Sequence, residues 1–460
     1  MSLSAAAAAA LRERGLEAVI ETAQRAGPGY AHRLARELEA LDWGQLDRQR
    51  AALQDAPAPV RAADLQAPEL LPSSSVCGSP RLAAAEERGW EELRAGRVAA
   101  VTVAGGQASR LGFDGPKGAF PLGAVTGASL FQILGGQVCR LRAITGAPLP
   151  WILLTGPENH LSTRDFFERR NFFGLGADTV HFACQGMLPA LSPQGDLLLA
   201  APDRLFRNPD GHGGLFRALD RAGLLGLLKE QNVSTLFTCQ VDNPLVRMAD
   251  PAFLGFHLLG GARMSSKAVI KTEPAEKVGV LILQDGVLGC VEYSDLPVAL
   301  QEERAADGGL RFRAGNIAMH ALDLGFAGSM AKTDLPLHRA RKEVTALGAE
   351  GLPVRGIAVK FETFIFDALP HAGAGGALVQ EADRAEEFAP VKNREGADSA
   401  ASARAASDAR ARRWLRSAGV EATAHGFVEL EPGLAYSAAD LAAQSGRWKV
   451  HGGRLVARTR

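Results

Sequence analysis

The chain has 460 residues, 47% of them apolar, enough for one large α/β domain with attachments or for two to three domains. Its 51 basic and 51 acidic residues balance, which argues against a dedicated nucleic-acid or anionic-membrane surface. No stretch approaches the ~18 apolar residues of a membrane span. The five cysteines (Cys77, Cys139, Cys184, Cys239 and Cys290) are odd in number and scattered, as suits buried thiols in a reducing, cytoplasmic compartment.

In chain order, residues 1–54 are rich in Ala, Leu, Glu and Arg, with apolar side chains at helical spacing (Leu16, Val19, Ile20; Leu34, Leu38, Leu41), and predict a helical segment. The weakly apolar run 5–10 has no cation before it and is followed at once by Arg12, Glu13 and Arg14, unlike a secretory leader. Residues 55–80 carry five prolines and a serine run and predict a linker or wrapped loop. A short helix is expected over 86–96, around Trp90.

From 98 onward strand and helix patterns alternate. Buried strands are expected at 98–104, 151–155, 180–184 and 234–240, with helices at 130–141, 165–173 and 215–229. Gly135 and Gly136 weaken the first of these helices by ~1 kcal/mol each. The rhythm predicts an α/β fold with a doubly wound, mostly parallel central sheet, and ligands at the carboxyl ends of its strands. From about 264 the pattern turns antiparallel: 267–271, 278–283, 287–292 and 311–320, with Asp285-Gly286 as a hairpin turn. A mixed tail over 370–460 contains a Gly/Ala loop at 372–377 and a charged helix at 402–415. The expected division is 1–97 for the helical segment and linker, 98–380 for the main domain and 381–460 for a small α+β lobe.

The most informative stretch follows the first buried strand: Ala104-Gly105-Gly106-Gln107-Ala108-Ser109-Arg110-Leu111-Gly112, then Pro116-Lys117-Gly118. A glycine turn at a strand exit brings bare amide N–H groups close to a ligand, and Arg110 and Lys117 add charge suited to a polyphosphate. The string matches neither G-x-x-x-x-G-K-[ST] nor G-x-G-x-x-G, and the chain has no H-E-x-x-H, C-x-x-C or G-x-S-x-G. These absences weigh against zinc-hydrolase, zinc-ribbon and serine-hydrolase readings.

Five more groups follow in order. They are Gln185-Gly186-Met187-Leu188-Pro189, Pro209-Asp210-Gly211-His212-Gly213-Gly214, Gln240-Val241-Asp242-Asn243, the pair Glu292 and Asn316, and the strings 360–367 and 388–393 (Lys360 to Asp367, Phe388 to Asn393). A glycine cluster opening a helix offers free N–H groups, and a strand-end carboxylate such as Asp242 suits Mg²⁺ held against phosphates.

Together these strings, over 98–395, resemble the sugar-nucleotide pyrophosphorylases, and among them the UDP-N-acetylhexosamine branch of the UTP-dependent uridylyltransferases. The resemblance implies a Rossmann-like, GT-A-like nucleotidyltransferase domain. It implies that UTP and a sugar 1-phosphate, most simply N-acetylglucosamine 1-phosphate, give a UDP-sugar and pyrophosphate, with no nucleic-acid or membrane partner. It assigns Arg110 and Lys117 to catalysis. It assigns Val103, Ala104, Gly105, Gly106, Lys117, Gln185, Gly211, Asp242 and Lys360 to the nucleotide, with Asp242 also holding Mg²⁺ (or Mn²⁺). His212, Glu292, Asn316, Phe366 and Lys392 fall to the sugar phosphate. His212 departs from the family's Asn, and bears on sugar specificity more than on the reaction. Rival readings are a UDP-glucose or UDP-galactose pyrophosphorylase, a non-catalytic UDP-sugar sensor, for which the two cations would be superfluous, and a metal-dependent glycosyltransferase, weakened by the lack of any Asp-x-Asp.

Overall fold

The β-branched run before the glycine turn forms the strand Val98–Val103, every residue of it buried. Burial on both faces is what a central parallel strand requires. The computed structural model describes residues 5–54, 65–76, 78–348, 350–421, 426–446, 448–451 and 454–457. Cys77 and the first part of the Pro-rich segment, 55–64, lie outside the described residues.

Val98–Val103 pairs in parallel with Trp151–Thr155 on one side and Thr235–Gln240 on the other, and Trp151–Thr155 pairs in parallel with Val180–Cys184. The full order across the sheet is Leu70–Leu71, Ala377–Glu381, Met264–Ile270, Ala314–Asp323, Thr235–Gln240, Val98–Val103, Trp151–Thr155, Val180–Cys184. Ala314–Asp323 runs antiparallel to both of its neighbours, so the sheet is mixed at its centre and parallel toward both ends. The hairpin Val280–Gln284/Val287–Val291 joins this sheet, turning at Asp285 (φ 52°) and Gly286 (φ 76°), the paired positive φ values of a type I′ turn.

Several elements differ from the sequence expectation. The Pro-rich segment is not wholly a linker: Leu65–Gln66 and Leu70–Leu71 add to the sheet through pairing that lies more than 200 residues away in sequence. The Trp90 helix starts earlier, at Pro80–Arg94, because Ser79 caps it and Pro80 occupies the first turn. The helix expected at 165–173 is His160–Glu168, followed by a separate turn, Asn171–Gly174, in which Phe172 and Phe173 have positive φ. The helix expected over 215–229 is broken at Gly223 into Leu215–Arg221 and Leu224–Glu230. Met264–Ile270 is antiparallel on one side only, pairing in parallel with Ala377–Glu381 on the other.

The helix Leu130–Thr145 forms despite its two glycines, closed at its start by a Ser129/Gln132 capping box and at its end by Gly146 in the left-handed region. Gly135 is required by packing, since a Cβ there would lie 2.8 Å from the Phe173 ring.

Contacts divide the chain into two units interleaved in sequence: Met1–Pro59, Gln185–Gly214 and Asp334–Phe364 form one, and the rest forms the other. The smaller unit holds four helices (Ala5–Glu13, Ala18–Ala26, Pro28–Glu39, Trp43–Gln54) and a long hairpin, His338–Leu347/Pro353–Glu362, around a core that includes Leu34, Leu38, Leu46, Val359 and Phe361. The larger unit holds the central sheet, and also a three-stranded sheet (Glu429–Leu430, Arg454–Ala457, Trp448–His451) with the helices Ala400–Ser417 and Ala438–Ala443. Among the described residues no helix is long and apolar enough to cross a membrane, and no disulfide joins Cys139, Cys184, Cys239 and Cys290.

Candidate active site

In the larger unit the glycine turn lies at the carboxyl end of three parallel strands. Val103 and Ala104 present backbone rather than side chains: Val103 O accepts from Val241 N–H (3.0 Å) and Ala104 N–H donates to Leu154 O (2.7 Å). A residue that the sequence reading missed, Asn159, pins the turn. Fully buried, it donates from Nδ2 to Ala104 O (2.8 Å) and Gly106 O (3.1 Å), and accepts from Gly156 N–H (2.9 Å). The loop then doubles back, with Ala108 N–H on Gly115 O and Lys117 N–H on Gly106 O, both 3.1 Å. Arg110 is exposed on the short turn Ser109–Leu111, without an ion-pair partner among the described residues.

Lys117 is engaged. Its Nζ lies 2.8 Å from Asp242 Oδ2, with the two side chains 18% and 15% exposed. Asp242 follows the strand Thr235–Gln240, and its carbonyl accepts from Val391 N–H at 2.9 Å. Asn243, also missed, is buried and bridges to the same segment: Nδ2 donates to Glu387 O (2.7 Å) and Oδ1 accepts from Ala389 N–H (3.0 Å). The loop carrying Lys392 is thereby clasped to the one carrying Asp242. Lys392 is 44% exposed, and its Nζ is 3.7 Å from Asp398.

Glu292, Asn316 and Phe366 gather near Cys290 in the same unit. Asn316 Nδ2 reaches Cys290 Sγ at 3.7 Å, and its Oδ1 accepts from Ala318 N–H at 3.0 Å. Ala318 takes φ 53° inside the strand Ala314–Asp323, where the pairing with Met264–Ile270 slips by a bulge. Burial pushes the Cys290 thiol well above its usual range, and the nearby Glu292 carboxylate adds to this, so the thiol stays protonated near neutral pH. Phe366 is buried in the turn Ile365–Ala372, which packs on the strand Val287–Val291.

The smaller unit brings together Gln185, Gly211, His212 and the end of the long hairpin. Gln185 donates from Nε2 to Gly211 O (2.7 Å), and Gly186 N–H donates to Asp210 Oδ2 (3.1 Å). Asp210 O accepts from Thr363 N–H (2.8 Å) and Thr363 Oγ1 (2.9 Å), while Gly213 N–H donates to Thr363 O (2.8 Å). Gly211 has φ 84°, and a Cβ there would lie 2.3 Å from Thr363 O, so no other residue fits. The His212 ring stacks on Phe364 at 5.0 Å and 25°, and Phe364 packs in turn on His338 at 4.3 Å. Burial, with His338 adding to it, pushes the His212 imidazole down to about 4, so it stays neutral near physiological pH. Lys360 stands on the strand Pro353–Glu362, its ammonium 5.6 Å from the Phe206 ring centre.

Amides at a parallel-strand exit, an exposed arginine and a lysine–carboxylate pair are the marks of an α/β enzyme that handles phosphorylated nucleotides. The chain belongs to the UTP–glucose-1-phosphate uridylyltransferase family, whose profile matches residues 60–406. It is 36% identical to UDP-N-acetylhexosamine pyrophosphorylase-like protein 1 of Mus musculus, over 79% of this chain and 76% of that one. It is 32% identical to the UDP-N-acetylglucosamine pyrophosphorylase of Saccharomyces cerevisiae, over 78% of each. The fold superposes with a TM-score of 0.80 on the uridine diphosphate N-acetylglucosamine pyrophosphorylase of Trypanosoma brucei, solved with an inhibitor; that match is 25% identical and covers 95% of this chain and 93% of the other.

Proposed function

We propose that this uridylyltransferase joins UTP to N-acetylglucosamine 1-phosphate, releasing pyrophosphate. The observation that carries the reading is the buried Asn159 holding the Gly105-Gly106 turn open at the strand exit, with Lys117 beside it. A phosphate oxygen of the sugar phosphate attacks the α-phosphorus of UTP in line. The bond to that oxygen forms, the bond from the α-phosphorus to the bridging oxygen breaks, and pyrophosphate carries away the electron pair. The second pKa of a phosphate monoester is near ~6, so the nucleophile is already largely dianionic and needs no strong base. No proton has to move for the bond to form. What the protein must overcome is repulsion between two polyanions, and this falls to positioning and electrostatics.

To Arg110, Lys117 and the amides of Gly105 and Gly106 we assign the triphosphate, with Val103 and Ala104 setting the backbone path. Gln185, with Nε2 held by Gly211, keeps Oε1 to accept from the uracil imide N–H. Lys360 is assigned to the phosphates and Lys392 to the incoming sugar phosphate. His212, Glu292, Asn316 and Phe366 are assigned to the sugar. A hard carboxylate at Asp242 fits Mg²⁺, or Mn²⁺ in its place, which takes one or two carboxylates and completes its shell with phosphate oxygens and water. When bound, the cation neutralises phosphate charge. We assign the protein to the cytoplasm, the setting to which its scattered, odd-numbered cysteines point.

The test is purified protein with UTP, Mg²⁺ and a panel of sugar 1-phosphates, following pyrophosphate. The expected result is release with N-acetylglucosamine 1-phosphate in preference to glucose or galactose 1-phosphate. Preference for a plain hexose would reassign the substrate. No release with any sugar would leave the chain a sensor.

A further inference from the structure

The Lys117–Asp242 pair unites two groups whose proposed partners are of opposite charge. The ammonium is suited to phosphate oxygens, the carboxylate to a divalent cation, and in the structure each satisfies the other at 2.8 Å. The backbone at both ends is tied, by Lys117 N–H on Gly106 O and by Asp242 O accepting from Val391 N–H. The long lysine side chain is therefore the part free to swing away. Among the described residues no three His, Cys, Asp or Glu side chains are gathered as a metal cage. A divalent cation approaching Asp242 in the nucleotide-free protein meets a seat already taken by a positive charge. Its remaining ligands would have to come from water, because the phosphate oxygens arrive only with the nucleotide.

We propose that this pair works as an exchange: Lys117 holds the cation seat on Asp242 in the free protein, and yields it to the metal when the triphosphate captures the ammonium. The inference rests on the nucleotide reading of the glycine loop and adds to it a rule of assembly. Metal and nucleotide each remove the other's obstacle, so each tightens the other by the same factor. Lys117 is then delivered to the phosphates by the event that seats the metal.

The test is Mn²⁺ binding to nucleotide-free protein, read from the spin-resonance signal of free Mn²⁺, in wild type, Lys117→Met, Asp242→Asn and the double variant. Lys117→Met should bind Mn²⁺ roughly 3–10-fold more tightly than wild type, the scale of one partly buried ion pair, and the double variant should lose that gain. Equal binding in wild type and Lys117→Met, or a gain that survives Asp242→Asn, would overturn the exchange. Should Lys117→Met not fold, Asp242→Asn alone decides. In EDTA it should bind UTP more tightly than wild type, because no carboxylate competes for Lys117, and equal affinities would overturn the exchange. Calorimetry of UTP with wild type separates the two claims: UTP bound with the exchange absent removes only the exchange, whereas no UTP binding removes the nucleotide reading itself.

Discussion

Lys117 is where charge, position and chemistry coincide. With the glycine loop anchored by Asn159 rather than by the lysine, Lys117→Ala should fold normally and lose about 10²–10³ in turnover, the usual effect of removing one charged donor from such a site. Steady-state rates together with circular dichroism check both halves. Near-wild-type turnover would remove Lys117 from the mechanism. His212 makes a second prediction. An imidazole held at about 4 remains neutral over the working range, so the ratio of kcat/KM between wild type and His212→Asn should be flat from about pH 5.5 to 8. A one-proton inflection in that ratio would place the imidazole in solvent instead. The motif strings stand out because each is announced by its neighbours, as glycines before a cation or Pro-Asp before glycines. Asn159 carries no such mark, because the carbonyls it donates to, Ala104 O and Gly106 O, lie more than 50 residues before it, and the clasp from Asn243 to Glu387 spans more than 140.

Strand recognition worked where apolar residues run together, as at Val98–Val103 and Trp151–Thr155, both buried throughout, and at Val180–Cys184, buried at Val180 and Ala183. It failed for the hairpin His338–Leu347/Pro353–Glu362: no residue of the first strand is buried, and the second is exposed over Pro353–Ile357, leaving only Ile357, Val359 and Phe361 as a short apolar alternation. Positive φ at Phe172 and Phe173 was equally hidden. Aromatic residues disfavour it, and the surrounding cluster of Phe131, Phe166, Phe167 and Trp151 enforces it. Helix Pro80–Arg94 meets helix Pro251–Leu259 backbone to backbone: a Cβ on Gly255 would lie 1.6 Å from Ala85 O. Gly255→Ala should therefore cost about 3 kcal/mol, read from urea unfolding, and an unchanged midpoint would contradict the crossing. The base of the two central parallel strands is held by Glu92, which accepts from Arg97 and Ser234. Burial raises its carboxyl, but hydrogen bonds from Arg97, Ser234 and Arg88 outweigh burial and hold it at about 2, below its usual 4.5. A depressed carboxyl contributes stability that is complete above 4.5 and is lost as pH falls through about 2. Glu92→Gln should thus lower stability by about 2 kcal/mol at neutral pH, with the gap to wild type closing in acid. A gap that persists in acid would assign the effect to packing.

At the scale of the whole molecule, the doubly wound α/β class followed from the alternation of buried runs with helical ones. The antiparallel turn from about 264 was legible too, and Ala314–Asp323 runs antiparallel to both of its neighbours. Its place at the centre of the sheet, between Thr235–Gln240 and Met264–Ile270, was not, because strand order depends on crossovers that local pattern does not encode. The interleaving of the two units was likewise invisible, because the smaller one is assembled from three stretches separated by more than 100 residues each. Its core draws Leu34, Leu191 and Val359 from all three, so its stability depends on long-range closure rather than on any one segment.

The central claim is that this chain transfers the uridylyl group of UTP to a sugar 1-phosphate by direct displacement. Phosphorus NMR of UTP, N-acetylglucosamine 1-phosphate and Mg²⁺ with the protein measures it directly. The account predicts paired growth of the UDP-sugar diphosphate and free pyrophosphate resonances in equal amounts, with Lys117→Ala all but silent. Unchanged UTP, or UDP and inorganic phosphate in place of pyrophosphate, would contradict it.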